Sequence, residues 1–271
     1  MPLTVLHGDQ LVHSWDYHDL DDWQALRDDS QKVRKLHFPC CTSPVVLKVS
    51  INEIPFFAHA PGRACTQSQQ AGRRESPEHQ ALKYAVAFHL SKITGWTVRT
   101  EHPAPDRTWR ADVLATHTNG RQLAVEPQLA RQSAAAFTHR STRYLQAGIM
   151  PAWITTGLPT EVEMRQVAHF QIPDRQLLRA HTSAILNTIG ATAQWGTKEE
   201  LTLADYLDRM AAPDADWPWT LEAIRDLRVP PPKRQVQWPE MGPPPATEAD
   251  RIKAMYTRLV AAAQIDQNHQ R

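Results

Sequence analysis

Residues 108–130, TWRADVLATHTNGRQLAVEPQLA, decide how the rest of the chain is read. The runs TWRADVLAT and RQLAVEPQL are rich in β-branched and apolar residues, and they flank Thr118-Asn119-Gly120, so they predict an antiparallel hairpin. Loop length sets the register. A two-residue Asn-Gly turn puts Asp112 opposite Pro127; a three-residue loop ending in a left-handed Gly120 puts Asp112 opposite Glu126 on the same face. The second register is the expectation. Gln128 then shares the face of Glu126, because strand side chains alternate. Two facing carboxylates offer the hard oxygen ligands that a divalent cation needs. Alone, acids near a strand end are more often just solvated, so the setting has to carry the reading.

Upstream, Ser76-Pro77 supplies an N-cap oxygen and a residue suited to the first helical position. A helix from 77 to about 94 follows, with Leu82, Ala85, Val86, Leu90 and Ile93 at helical spacing and Gly95 as its stop. Glu78 lies one turn before Leu82 on that stripe, so the helix covers the sheet face with Glu78 near the hairpin acids. WTVRTEH predicts a further strand. Downstream, a helix from about 133 to 147 leads through Gly148 to PAWITT, a strand reached by a right-handed crossover and parallel to its neighbour. Residues 77–156 thus read α-β-β-β-α-β. Between 127 and 160 the basic residues Arg131, Arg140 and Arg143 meet no acid, and Arg140 and Arg143, three apart on one helix, can both reach phosphates. Arg73 and Arg74, just before the first helix, are a second candidate contact. Solvated arginines on a helix face are the plain alternative. Pro127 removes a ladder donor, which predicts a kink or bulge, or else an edge strand that leaves Glu126 solvated.

The ordered set ESPEHQALK (75–83), RADVL (110–114), VEPQLA (125–130) and HRSTRYLQAGIMPAWI (139–154) resembles the competence protein CoiA-like nuclease family of the PD-(D/E)xK superfamily, over roughly residues 37–156. The resemblance implies an α/β, restriction-endonuclease-like core with Glu78 as the helical acid, Asp112 and Glu126 as metal ligands, and Gln128 in the usual lysine position. An amide there can hydrogen-bond the attacking water but cannot neutralise charge as an ammonium does. Gln at this place is itself part of the CoiA-like pattern. The implied cofactor is Mg²⁺ or Mn²⁺ and the implied partner is DNA, with RNA left open.

Such proteins commonly begin with a small zinc module of the form C-P-x-C followed by H-F-x-H. Here the text is FPCC (38–41) and FFAH (56–59), so Phe38 and Phe56 stand where a Cys and a His are expected. Cys41 and His59 are too few to hold zinc, which makes a structural zinc unlikely on this reading and an apolar cluster its replacement. A set drawn from His37, Cys40, Cys41, His59 and Cys65 has no common zinc spacing. Residues 1–62 are accordingly read as a small N-terminal β module, acidic at its start and so an unlikely DNA face. Residues 75–157 form the core. Helices near 160–169, 174–188 and 199–211 form an extension over 158–212. A segment with nine prolines at 213–246 and a terminal amphipathic helix at 247–271 follow, where a protein partner could dock.

A net charge of +1 means that DNA affinity must come from local basic clusters. No secretory n-region opens the chain, no run of about 18 uncharged apolar residues could cross a membrane, and three cysteines make no disulfide framework; together these predict a cytoplasmic protein. The function expected is metal-dependent DNA hydrolysis. The rival is an adaptor that binds nucleic acid on the same fold without catalysis, favoured by Gln128 and Pro127 and opposed by the gathering of three like-charged acids.

Overall fold

The computed structural model describes residues 2–39, 41–60, 75–106, 108–130, 132–156, 168–194, 197–212 and 215. Arg73, Arg74, Arg131, Cys40 and Cys65, the Pro-rich segment and the terminal helix lie outside the described residues. Residues 1–229 cluster as one compact unit.

Five strands make the first sheet: β1 (Thr4–His7), β2 (Gln10–His13), β3 (Leu36–Phe38), β4 (Cys41–Val49) and β5 (Pro55–His59), in the order β2-β1-β3-β4-β5. Helix α1 (Leu20–Asp28), capped by the Asp19 carboxylate, buries Trp23 and Leu26 against Val5, Leu36, Phe38, Val45, Leu47 and Phe57. Phe38 stacks on His59 with ring centroids 3.8 Å apart, and Phe56 is buried, so both aromatic replacements act as core side chains. A short helix, α2 (Ser30–Val33), precedes β3.

Helix α3 (Pro77–Lys92) starts as expected, with Ser76 Oγ accepting from the His79 amide and Pro77 in the first turn. Its buried positions go well beyond the predicted stripe, since Gln80, Ala81, Lys83, Tyr84 and Ala87 are buried as well as Leu82, Ala85, Val86 and Leu90. The reason is tertiary: one side packs on the large sheet through Val98, Val113, Ala115, Leu123 and Val125, while Leu3, Trp15, Ile54 and Phe56 of the N-terminal part and Leu203, Tyr206 and Met210 of the C-terminal part complete the same core. Gly95, at φ +86°, turns the chain after the helix, where a Cβ would stand 2.6 Å from His117 Nε2.

The large sheet has seven strands in the order β12-β11-β10-β9-β8-β7-β6, with β6 (Trp96–Pro103), β7 (Arg110–His117), β8 (Gln122–Gln128) and β9 (Ile149–Thr155) giving the expected core. Helix α4 (Ala134–Gln146) crosses between β8 and β9, which pair in parallel. It lies on the face opposite α3, its Tyr144 packing with Leu114, Ala124 and Ile149 and its Phe137 with Trp153.

The extension departs from the helical expectation. Residues 168–202 add three strands to the sheet: β10 (His169–Gln171), parallel to β9, then the antiparallel pair β11 (Ile189–Gln194) and β12 (Thr197–Thr202). Lys198, Glu199 and Glu200 are good helix formers, and pairing with β11 overrides that preference. Helix starts only at α6 (Leu203–Ala211), and the stretch 174–188 holds a 3-10 turn at Arg175–Arg179 and a short helix α5 (Thr182–Leu186). Among the described residues no helix is long and apolar enough to cross a membrane.

Candidate functional site

The hairpin of β7 and β8 closes with Thr116 opposite Gln122 and with Gly120 at φ +89°, its N–H donating to the His117 carbonyl, which is the three-residue loop in the anticipated register. Val113 faces Val125, so Asp112 and Glu126 are next in line. There the two strands part company. The β7–β8 ladder ends at Val113 and Val125, while β7 stays paired to β6 as far as Arg110 and β8 stays paired to β9 as far as Gln128. The ladder therefore stops two residues before Pro127, where a missing N–H would otherwise break it. The edge-strand alternative does not hold, because β8 lies between β7 and β9 and Glu126 has no exposed surface.

The two carboxylates serve different helices. Glu126 accepts hydrogen bonds from the Tyr144 hydroxyl and from Arg140 Nη2, both on α4, and from the Asp112 backbone N–H at 3.3 Å. Burial and the nearby Asp112 carboxylate push its carboxyl up to about 8, against the pull of Arg140 and Tyr144. Gln128 shares this face as expected: its Oε1 lies 3.4 Å from Arg140 Nη1, and its Nε2 donates to the Ala130 carbonyl. Arg140 also covers the Trp153 ring at 4.8 Å, and Arg143 donates to the Thr108 carbonyl at 2.6 Å.

Asp112 instead turns to α3, with Oδ2 3.4 Å from His79 Nε2. The same-face expectation fails for a local reason. Glu101, its neighbour on β6, sits at φ +54°, and Ala111 and Leu114 both pack toward Tyr144 although three positions apart, so alternation slips at Asp112. Around it, Glu75 Oε1 is 3.8 Å from His79 Nε2 and accepts from Lys83 Nζ at 2.7 Å, and Lys83 also pairs with Glu101. Arg110 Nε closes on the other oxygen of Glu101 at 3.1 Å. Burial opposes the charge of Lys83, whose side chain is 1% exposed, but Glu101, Glu75 and Asp112 outweigh it and raise the ammonium above its ordinary value. Burial likewise works against Glu75, yet Lys83 holds its carboxyl down at about 2. Glu75, His79 and Asp112 form a group whose ligand atoms all lie within 4.8 Å of one another.

Among the described residues Glu78 pairs outside this group, with two arginines of the C-terminal part. It accepts from Arg179 Nε at 2.9 Å and Arg175 Nη2 at 3.3 Å, and Arg175 also donates to Ser76 Oγ. Its helix-terminal backbone N–H holds the carboxyl down at about 2; burial opposes this, while the arginines and Ser76 reinforce it. Glu75, His79, Lys83 and Glu101 were not among the expected site residues. The signal for three of them was present, since His79 and Lys83 lie one turn apart on one helix flank and Glu75 stands four residues before His79, just ahead of the N-cap.

The segment that holds this crossover, this parted hairpin and these acids is the one that the comparisons match to a nuclease-like domain. Residues 75–192 match the family model described as competence protein CoiA, nuclease-like domain, and the CoiA-like resemblance read from the sequence holds for that segment. Competence protein CoiA of Bacillus subtilis (strain 168) is 26% identical over 133 residues, which cover 48% of this chain and 34% of that protein; the chain thus spans about a third of the relative's length. Among solved structures, Pyrococcus furiosus SfsA in complex with Ca²⁺ aligns over 48% of this chain and 71% of that one, at 10% identity and a TM-score of 0.23.

Proposed function

We propose that the chain is a divalent-metal-dependent nuclease that hydrolyses phosphodiester bonds in DNA, on a restriction-endonuclease-like PD-(D/E)xK core running from α3 to β9. The observation that carries this reading is the parting of β7 and β8, which leaves Asp112 and Glu126 adjacent where the ladder ends, with Arg140, Tyr144, His79 and Lys83 around them. The donors suit Mg²⁺ or Mn²⁺: carboxylate oxygens, and an imidazole nitrogen that is buried without a hydrogen-bond partner. A bound ion would make water nucleophilic at neutral pH and offset charge developing on the phosphoryl oxygens.

Asp112 and Glu126 are the acids assigned to the ion. Gln128 holds the attacking water by hydrogen bonding, and Arg140 beside it supplies the positive charge that an amide lacks. Arg143, with Arg73 and Arg74, is assigned to phosphate contacts. Glu78 is assigned to fixing the start of α3, from which His79 reaches Asp112. DNA is the substrate proposed, in keeping with the competence role in the relative's name.

Cleavage of single-stranded, duplex and branched DNA and of single-stranded RNA, with Mn²⁺, Mg²⁺ or EDTA, tests the proposal. Metal-dependent cleavage of DNA that Asp112→Ala and Glu126→Ala each abolish is the expected result. A second reading, a nucleic-acid adaptor without catalysis, is favoured by one observation: Glu126 and Gln128 are already held by Arg140, Tyr144 and Ala130. Salt-sensitive DNA binding without cleavage in any metal would replace the first reading with the second.

A further inference from the structure

We infer that the sheet face beside α4 carries a groove for single-stranded DNA, floored by Leu114 and lined by Arg99, His102, Thr116, His117 and Gln122. This rests on the nuclease reading above and names the form of its substrate and the path by which it reaches the acids. Helix α4 packs on this face through Tyr144 and Phe137 but leaves Thr97 and Arg99 of β6 exposed. The uncovered strip over β6, β7 and β8 is an open groove of about 450 Å³. That is space for roughly a nucleotide or two of a single strand lying along the sheet.

The lining has the chemistry that unpaired bases and their backbone need. No acidic side chain lines the groove, and Arg99 supplies a permanent cation for a phosphate. Two flat rings accompany it. Burial, and after it the nearby Arg99, pushes the His102 imidazole below its ordinary value, so at neutral pH it offers an uncharged face. His117 is fixed in place, with Nδ1 accepting from the Asn119 N–H at 3.2 Å and its ring centroid 5.1 Å from that of Trp96. Bases reach such rings only when unpaired and splayed out, which favours a single strand over duplex. Gln122 Nε2 donates to Thr116 Oγ1 at 3.1 Å, and this pair adds an amide and a hydroxyl for base edges or phosphate. The groove also leads to the acids. Leu114 stands two residues from Asp112 along β7, roughly 6–7 Å, and packs in one cluster with Tyr144, whose hydroxyl holds Glu126.

The experiment is fluorescence-anisotropy titration of the full chain with single-stranded and duplex DNA, in EDTA and in Ca²⁺, across a salt series. Wild type, Arg99→Ala and His102→Ala are compared, with near-UV circular dichroism confirming the fold. Single strands carrying 5-iododeoxyuridine are also photocross-linked to the unmodified chain, and the linked residues are mapped by mass spectrometry. The expected result is tighter binding of single strand than of duplex, and a loss of about fivefold or more in single-strand affinity in each variant with duplex binding little changed. Arg99→Ala should lower the slope of log affinity against log salt by about 0.7, and cross-links should fall on His102 or His117. The cross-links decide the matter even if a variant fails to fold. Single-strand affinity unchanged in either variant, an equal loss on duplex, or cross-links confined to residues outside the groove overturns this inference and leaves standing the nuclease reading, which the Asp112 and Glu126 substitutions test by cleavage. Absence of both DNA binding and cleavage overturns both.

Discussion

Replacing Lys83 by Met removes the one cation on α3 that is buried among carboxylates, while nearly preserving side-chain volume. The ammonium is 1% exposed and bridges Glu75 and Glu101, which are 26% and 30% exposed. Breaking a fully buried pair by deleting one partner costs about 3–5 kcal/mol. Here the stranded acids can partly rehydrate, and Met fills the space, so the expected loss is about 2–3 kcal/mol. For a domain of this size that lowers Tm by roughly 5–10 °C. Urea unfolding should show a lower midpoint at unchanged slope.

The pH dependence identifies the cause. Glu75 is depressed from its ordinary 4.5 to about 2, so its contribution is present above 4.5 and lost as pH falls toward 2. Lys83 is raised from 10.5, so its contribution is present below 10.5 and lost as pH rises through the folded value. The gap between wild type and Lys83→Met should therefore be widest between about pH 5 and 10 and narrow in acid. A loss under about 0.5 kcal/mol at pH 7, or a gap that does not narrow in acid, refutes the assignment of Lys83 as the compensating charge.

Three further outcomes are expected. Glu126 is raised from 4.5 to about 8, so its protonated form contributes stability that is present below 4.5 and lost as pH rises through 8; Glu126→Gln should flatten the stability profile over that window, and parallel profiles would contradict the raised value. Tyr144→Phe deletes a donor to the charged form of Glu126 and should raise that carboxyl further, read by carbon-13 NMR titration, with about 1–2 kcal/mol of stability lost. Gly190→Ala would bring a Cβ to 2.4 Å from the Gln171 carbonyl oxygen and 2.5 Å from the Phe170 ring, so a loss of about 2–3 kcal/mol in chemical denaturation is expected, and a neutral change would mean that β10 and β11 are not packed as described.

Legibility differed from element to element. The three-residue turn at Gly120 and the Val113–Val125 register were readable because turn chemistry acts over a few residues and fixes every pair behind it. Helix α3 was readable at its ends, from Ser76 and Pro77 to Gly95, but not in its surroundings, since burial of Lys83 depends on Glu101 in a strand 18 residues on. Of the helix expected near 199–211, residues 203–211 form it, while 199–202 belong to β12, because the helix preference of Glu199 and Glu200 is overruled by a partner strand.

The sequence by itself determined the α-β-β-β-α-β order, the parallel crossover through α4 and the grouping of Glu126 with Gln128, all consequences of local period and spacing. Only the tertiary structure decided where the acids point. Asp112 goes to His79 of α3, beside the left-handed Glu101, Glu126 goes to Arg140 and Tyr144 of α4 on the opposite face, and Glu78 goes to Arg175 and Arg179, about a hundred residues away. A carboxylate's orientation is set by whichever cations and donors the fold brings within hydrogen-bonding reach, and those partners come from distant parts of the chain.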